Sequence, residues 1–193
     1  MRAGMTRQDA LVFLGAWVSD PLRVAAIAPS GRALAELITS EISAVTGPVL
    51  ELGAGTGAFT RALLKRGVAE HDLTLVELGP EFARLLEQRF PCASVLSIDA
   101  ARLRRAGLLA AASVGAVVSG LPILSMSPRK TMAILRCAFD CLRPGGSFYQ
   151  FTYGPVCPVP KGILARLELK AARIGVAVRN VPPAAVYRIS RQA

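Results

Sequence analysis

The chemistry legible in this sequence starts at one glycine-rich turn, Glu51-Leu52-Gly53-Ala54-Gly55-Thr56-Gly57, between an apolar run and a helical stretch. Glycines there let the chain turn tightly and let a ligand approach the backbone with no Cβ in the way. A phosphate loop ends in Gly-Lys-Ser/Thr, but Ala58-Phe59 follows here. A dinucleotide fingerprint needs Gly-x-Gly-x-x-Gly, but Gly53, Gly55 and Gly57 are spaced by two throughout. Glu51 at the strand end also opposes a pyrophosphate and suits a cationic ligand. Glu77 and Asp99 close the next two apolar runs. One strand-end acid alone is more often a helix cap or a solvated turn. Three in register, after successive strands, point to a single site.

The elements that must position these groups alternate between short apolar runs and helical stretches. Strands are predicted at 48–52, 72–77, 94–98, 116–119 and 147–152, with helices at 59–66, 81–90 and 129–142. The last helix meets Arg143-Pro144-Gly145-Gly146, a stop signal. Two β-rich pieces, 173–179 and 186–190, flank Pro182-Pro183 and predict an antiparallel C-terminal hairpin. Upstream, helices are predicted over 8–19, stopped before Pro21, and over 30–44, starting at the capping residue Ser30. The expected fold is α/β, a mostly parallel sheet with helices on both faces. Residues 1–44 form a helical segment and 45–193 the core of one domain overall. Ligands of such sheets lie beyond the carboxyl ends of the strands, where strand order reverses, and all three acids fall there.

The glycine turn is similar to the first motif of the class I methyltransferases, a Rossmann-like family. That resemblance implies S-adenosylmethionine as cofactor, with S-adenosylhomocysteine as product. It implies cofactor contacts from Glu51, Gly53, Gly55, Thr56 and Gly57, and from Glu77 to both ribose hydroxyls with Leu78 beside it. Asp99 and Ala100 then meet the adenine amino group, and Ser119 borders the methyl.

Four further segments resemble the short bacterial phospholipid N-methyltransferases, which methylate phosphatidylethanolamine. They are Phe13-Leu14 to Trp17 with Pro21-Leu22 and Ile27-Ala28-Pro29-Ser30; Ser119-Gly120-Leu121-Pro122-Ile123-Leu124-Ser125-Met126; Tyr149-Gln150-Phe151-Thr152-Tyr153-Gly154-Pro155; and Asn180-Val181-Pro182-Pro183-Ala184. Ala54 and Gly31 stand where that family's pattern has proline and serine. The resemblance implies methyl transfer to the head-group amine, in one or more steps toward phosphatidylcholine. Ser119, Gly120 and Leu121 would offer backbone carbonyls to the amine. Tyr153 has two readings: an aromatic face for the methylated ammonium, worth about 0.5–2 kcal/mol, or a packing residue with its hydroxyl on water.

The resemblance also implies a protein at the inner face of the membrane, cytoplasmic and peripherally bound. Leu11, Phe13, Leu14, Trp17 and Val18 give the first helix an apolar face flanked by Arg7 and Arg23. Such a helix can lie in the head-group layer, or it can pack on the domain as a lid. The run 10–18 falls short of the roughly 20 residues a bilayer span needs. Net charge is +10, and from Lys161 onward seven basic residues face one acid, Glu168. That excess attracts polyanions, whether an anionic membrane or nucleic acid. Four cysteines without disulfide or zinc spacing and a single histidine, His71, supply no metal site.

Two rival functions remain. An RNA or DNA adenine methyltransferase of the ribosomal RNA dimethylase type presents Asn/Asp-Pro-Pro-Tyr/Phe after strand four. Ser119-Gly120-Leu121-Pro122 has neither the amide nor the aromatic ring. The other rival is a non-catalytic module that only binds S-adenosylmethionine.

Overall fold

The computed structural model describes residues 28–192, apart from 108, 155, 179 and 181. The expected helix over 8–19 and its apolar face (Leu11, Phe13, Leu14, Trp17, Val18) lie outside the described residues. Helix α1 (Ala28–Ile38) leads into β1 (Val49–Leu52), α2 (Ala58–Lys65), β2 (Leu73–Glu77), α3 (Pro80–Arg89) and β3 (Ser94–Ser97). A short α4 (Leu103–Ala106), β4 (Val114–Ser119), α5 (Pro128–Cys141) and β5 (Leu142–Thr152) follow, then α6 (Lys161–Arg166), β6 (Leu169–Ala177) and β7 (Ala184–Arg191).

The strands form one sheet in the order β3-β2-β1-β4-β5-β7-β6. All neighbours from β3 to β5 run parallel, and β7 lies antiparallel between β5 and β6. Strand order reverses between β1 and β4, where Leu52 pairs with Ser119. This is the position where an α/β sheet opens a crevice for a ligand. Every side chain of β1 is buried because helices cover both faces. Val49, Leu75, Val118 and Phe151 face Leu34 and Ile38 of α1, Leu63 of α2 and Leu86 of α3. Leu50, Val117 and Phe148 face Leu103 of α4, Ile134 and Leu135 of α5 and Ile163 of α6. Each such aliphatic side chain contributes roughly 1.5–3 kcal/mol on burial. The two layers fix the strand tips from both sides.

Local differences from the sequence expectation have identifiable causes. α1 ends at Ile38 rather than near Ala44. Thr39 turns its hydroxyl onto the Ala35 carbonyl, and the chain continues through turns at Ser40 and Ile42. β6 starts at Leu169, four residues before the expected β-rich piece. Leu169-Lys170-Ala171-Ala172 has helical propensity, but pairing with Arg188–Arg191 of β7 overrides it. Glu168, at φ 54°, makes the left-handed turn between α6 and β6. α5 stops at Cys141, as the Pro-Gly-Gly signal required.

No described helix is long and apolar enough to cross a membrane. Among the described residues no cluster of His, Cys, Asp and Glu could hold a metal ion, and none of the four cysteines forms a disulfide.

Candidate cofactor and acceptor site

The turn after β1 is tied to β2 by the Gly53 amide, which donates to the Val76 carbonyl at 2.8 Å. Gly57 begins α2 at φ 78°, and a Cβ there would lie 2.4 Å from the Phe90 ring, so only glycine fits. Gly55 differs. It too is left-handed, at φ 53°, yet nothing lies within 4 Å of where its Cβ would be. The loop is therefore packed on its helix side and bare at Gly55, where a ligand could lie against the backbone.

Glu77 joins this loop to the start of α3. Its Oε2 accepts from the Gly55 amide at 2.8 Å and its Oε1 from the Gly79 amide at 2.9 Å. Each oxygen keeps lone-pair capacity for a ribose hydroxyl. Leu78, next in sequence, is 62 % exposed and presents an apolar surface beside it. Asp99 ends the third strand unit, with Oδ1 accepting from the Ala101 amide at 3.0 Å and Oδ2 from Lys130 Nζ at 3.0 Å. Partial burial works to raise its pKa, but the Ala101 amide and the Lys130 ammonium outweigh it and hold the carboxyl below its ordinary range. Ala100 is buried behind it.

Glu51 occupies the opposite extreme. It is fully buried, and Oε2 accepts from the Thr60 hydroxyl at 2.7 Å while Oε1 has no partner. Burial pushes its pKa up to about 8, against the Thr60 hydrogen bond, so the carboxyl keeps its proton at neutral pH. A buried carboxyl with an orphaned oxygen behind an open-sided glycine suits a positively charged ligand, whose field would favour ionisation. The Thr56 carbonyl faces the other way and accepts from Arg61 and Arg89 at 3.0 and 2.9 Å.

The turn after β4 touches the glycine loop directly. A Cβ on Gly120 would lie 2.6 Å from the Gly53 carbonyl oxygen, and one on Gly53 would lie 2.8 Å from Leu121 Cδ2. Ser119 is buried, and its Oγ accepts from the Leu121 amide at 3.3 Å. The Leu121 carbonyl, expected to face an amine, already accepts from the Ile123 amide at 2.8 Å and from Gln150 Nε2 at 3.0 Å. Both its lone pairs are used. The Gly120 carbonyl has no such donor among the described residues.

Beside this turn a narrow cleft is lined by Leu121 to Leu124 and Phe151 to Tyr153. Tyr153 is 8 % exposed and meets Phe151 edge-on at 5.4 Å, and Phe151 meets Phe59 of α2 edge-on at 6.0 Å. Burial raises the Tyr153 pKa against a hydrogen bond with Asn180. Asn180, itself buried, also donates from Nδ2 to the Pro182 carbonyl at 2.8 Å, so it ties the tyrosine to the chain at Pro182.

Sequence reasoning missed Thr60, Lys130, Gln150 and Phe59 as parts of the site. Thr60 carried a signal, being a hydroxyl on the sheet-facing side of α2 beside Ala62 and Leu63. The other three act through contacts far apart in sequence.

Fold and site together define an S-adenosylmethionine-dependent methyltransferase: a reversal of strand order between β1 and β4, a glycine turn open at Gly55, and acids at successive strand ends. Residues 49–146 match the methyltransferase domain family, and the chain belongs to it. It is 30% identical to the ornithine lipid N-methyltransferase of Singulisphaera acidiphila over 190 residues, covering 93% of this chain and 95% of that protein. A shorter likeness, 52% over 44 residues, links it to ribosomal RNA small subunit methyltransferase A of Parabacteroides distasonis. It covers 23% of this chain and 15% of that protein. In fold it is similar to the Burkholderia thailandensis 1,6-didemethyltoxoflavin-N1-methyltransferase, solved with S-adenosylhomocysteine. The TM-score is 0.65 at 17% identity, over 100% of this chain and 92% of that one.

Proposed function

We propose that this methyltransferase transfers methyl groups to the amine of a membrane lipid head group. The substrate we assign is phosphatidylethanolamine, methylated in one or more steps toward phosphatidylcholine, at the cytoplasmic face of an anionic membrane. The observation that carries the reading is the small uncharged cleft beside the turn after β4. Its lining of Leu121 to Leu124 and Phe151 to Tyr153 contains no carboxylate and no ammonium group. Such a wall favours an amine that enters neutral, because desolvating the charged form is costly. The likeness to an ornithine lipid N-methyltransferase along nearly the whole chain supports a lipid amine.

S-adenosylmethionine supplies a methyl group on a sulfonium, open to in-line attack. The chain's own residues bind, orient and exclude water. Gly55 leaves room on the loop, and Glu77, Leu78, Asp99 and Ala100 hold the adenosine. Ser119 and Gly120 border the methyl, and the Gly120 carbonyl takes a hydrogen bond from the amine and so directs its lone pair. Alignment of this kind supplies much of a barrier reduction without a strong base. Tyr153, packed at a near-right angle to Phe151, closes the far wall. Leu11, Phe13, Leu14, Trp17 and Val18 enter the head-group layer, and the basic C-terminal quarter adds about 1 kcal/mol per cation near an anionic leaflet.

RNA adenine methylation is the second reading, favoured by the short match to a ribosomal RNA enzyme and by the charge of +10. Offering labelled S-adenosylmethionine with phosphatidylethanolamine vesicles, ornithine lipid vesicles and RNA separates the two. We expect label in the phosphatidylethanolamine fraction. Label in ornithine lipid alone would correct the substrate, and label in RNA alone would remove the lipid reading.

A further inference from the structure

Gln150 sits on β5 beside its register partner Ser119 on β4, and it is 1 % exposed. Its Nε2 donates to the Leu121 carbonyl at 3.0 Å and to the Phe151 carbonyl at 2.9 Å, while its Oε1 is buried without a partner. An apolar side chain of similar length would fill the same space and leave no dry acceptor, so packing alone does not account for an amide here. What distinguishes the amide is the group that its N–H bonds hold.

That group is the turn 119–122, gripped from two sides. On one side Gly120 and Leu121 press against the Gly53 backbone, too closely for a Cβ at either glycine. On the other side stands Gln150. With the Leu121 carbonyl pinned by Gln150 and by the Ile123 amide, the turn has little freedom to rotate its peptide planes. The Gly120 carbonyl then has a fixed direction.

We propose that Gln150 is a positioning residue for methyl transfer: by holding the Leu121 carbonyl it fixes the turn after β4, so that the Gly120 carbonyl meets the acceptor amine. The inference rests on the reading of the adjoining cleft as the amine site. Gln150 touches neither the donor nor the amine and acts only through Leu121. A displacement of about 1 Å at an aligned centre lowers rates by up to about 100-fold, so a modest loosening of the turn suffices.

Two variants of the full chain test it, Gln150→Met and Gln150→Glu. In Gln150→Met the N–H donors are gone at similar length. Amide exchange at Gly120 and Ile123 is expected to quicken by about tenfold. On phosphatidylethanolamine vesicles kcat is expected to fall by about 30-fold, with KM and S-adenosylhomocysteine affinity nearly unchanged. In Gln150→Glu the protonated acid still donates one O–H to the Leu121 carbonyl, and the carboxylate does not. Its turnover relative to the unsubstituted protein at the same pH is therefore expected to climb as pH falls. Unchanged exchange with full kcat in Gln150→Met overturns the proposal. If that variant does not fold, a pH-independent turnover ratio in Gln150→Glu overturns it. Failure of the unsubstituted protein to label either lipid defeats the lipid reading separately, and the exchange data still decide whether Gln150 holds the turn.

Discussion

Along the tips of β1, β2 and β3 the polar groups are carboxyls, two of them bound to backbone amides. At the tips of β4 and β5, and at Asn180 between β6 and β7, they are neutral, and the walls are aromatic. Glu77 and Asp99 each accept from a main-chain N–H two residues on, and Glu77 also from the adjoining glycine loop. The acceptor half instead uses a serine hydroxyl, an amide and three stacked-edge rings. Under the proposed function the contrast would follow the two ligands. A cationic, hydroxyl-rich donor would be held by acids, whereas an amine that must lose its charge before attack would be met by a wall without charge.

The sharpest way to break this contrast is at the seam between the halves. Gly120→Val drives a side chain into the Gly53 carbonyl, 2.6 Å from where its Cβ would stand. Overpacking costs about 1–3 kcal/mol and misaligns both ligands, so turnover is expected to fall by about 100-fold or more. Near-normal steady-state rates would show that the two turns need not touch. Glu77→Ala should act on one half only. Losing its bonds to Gly55 and Gly79 and to the ribose is expected to weaken S-adenosylhomocysteine binding by about 10- to 100-fold, with a cooperative melt retained. Unchanged calorimetric affinity would remove the ribose assignment.

Glu51 sharpens the comparison through pH. Its carboxyl binds a proton more tightly in the folded protein, at about 8, than in the unfolded chain, at 4.5. The folded state therefore holds the extra proton between those values, and stability from this group is complete below 4.5 and is lost as pH rises through about 8. Glu51→Gln is expected to flatten that part of the stability profile, as read by urea denaturation across the same interval. A profile of unchanged slope would mean that Glu51 is already ionised. The smallest expected effect on the core comes from Phe13→Ala with Trp17→Ala. This pair should lower binding to anionic liposomes by about tenfold and leave cofactor affinity within about twofold. Full liposome binding would make the first helix a lid.

The cofactor half was the more legible in the sequence, and the reason is geometric. Each βα unit places its ligand at a strand end, so Glu51, Glu77 and Asp99 stand out as candidates by position alone. The acceptor half depends on pairs brought together by the fold: Leu121 with Gln150, 29 residues apart, and Asp99 with Lys130, 31 apart. No spacing rule connects such residues. The motifs around Ser119, Tyr149 to Tyr153 and Asn180 were visible, but the hydrogen bond between Asn180 and Tyr153 was not. The early end of α1 and the early start of β6 escaped for a related reason. A back-bonding threonine and a long-range strand pairing decided them, against local propensity.

The account stands on a sulfonium donor lying across the tips of β1 to β3, against Gly55 and within reach of Glu77 and Asp99. A crystal structure with S-adenosylhomocysteine addresses this directly. The account predicts both ribose hydroxyls on Glu77, the adenine between Leu78 and Ala100, and the product sulfur facing Ser119 and Gly120. Density for the ligand outside that groove, or none there at saturating concentration, would contradict it.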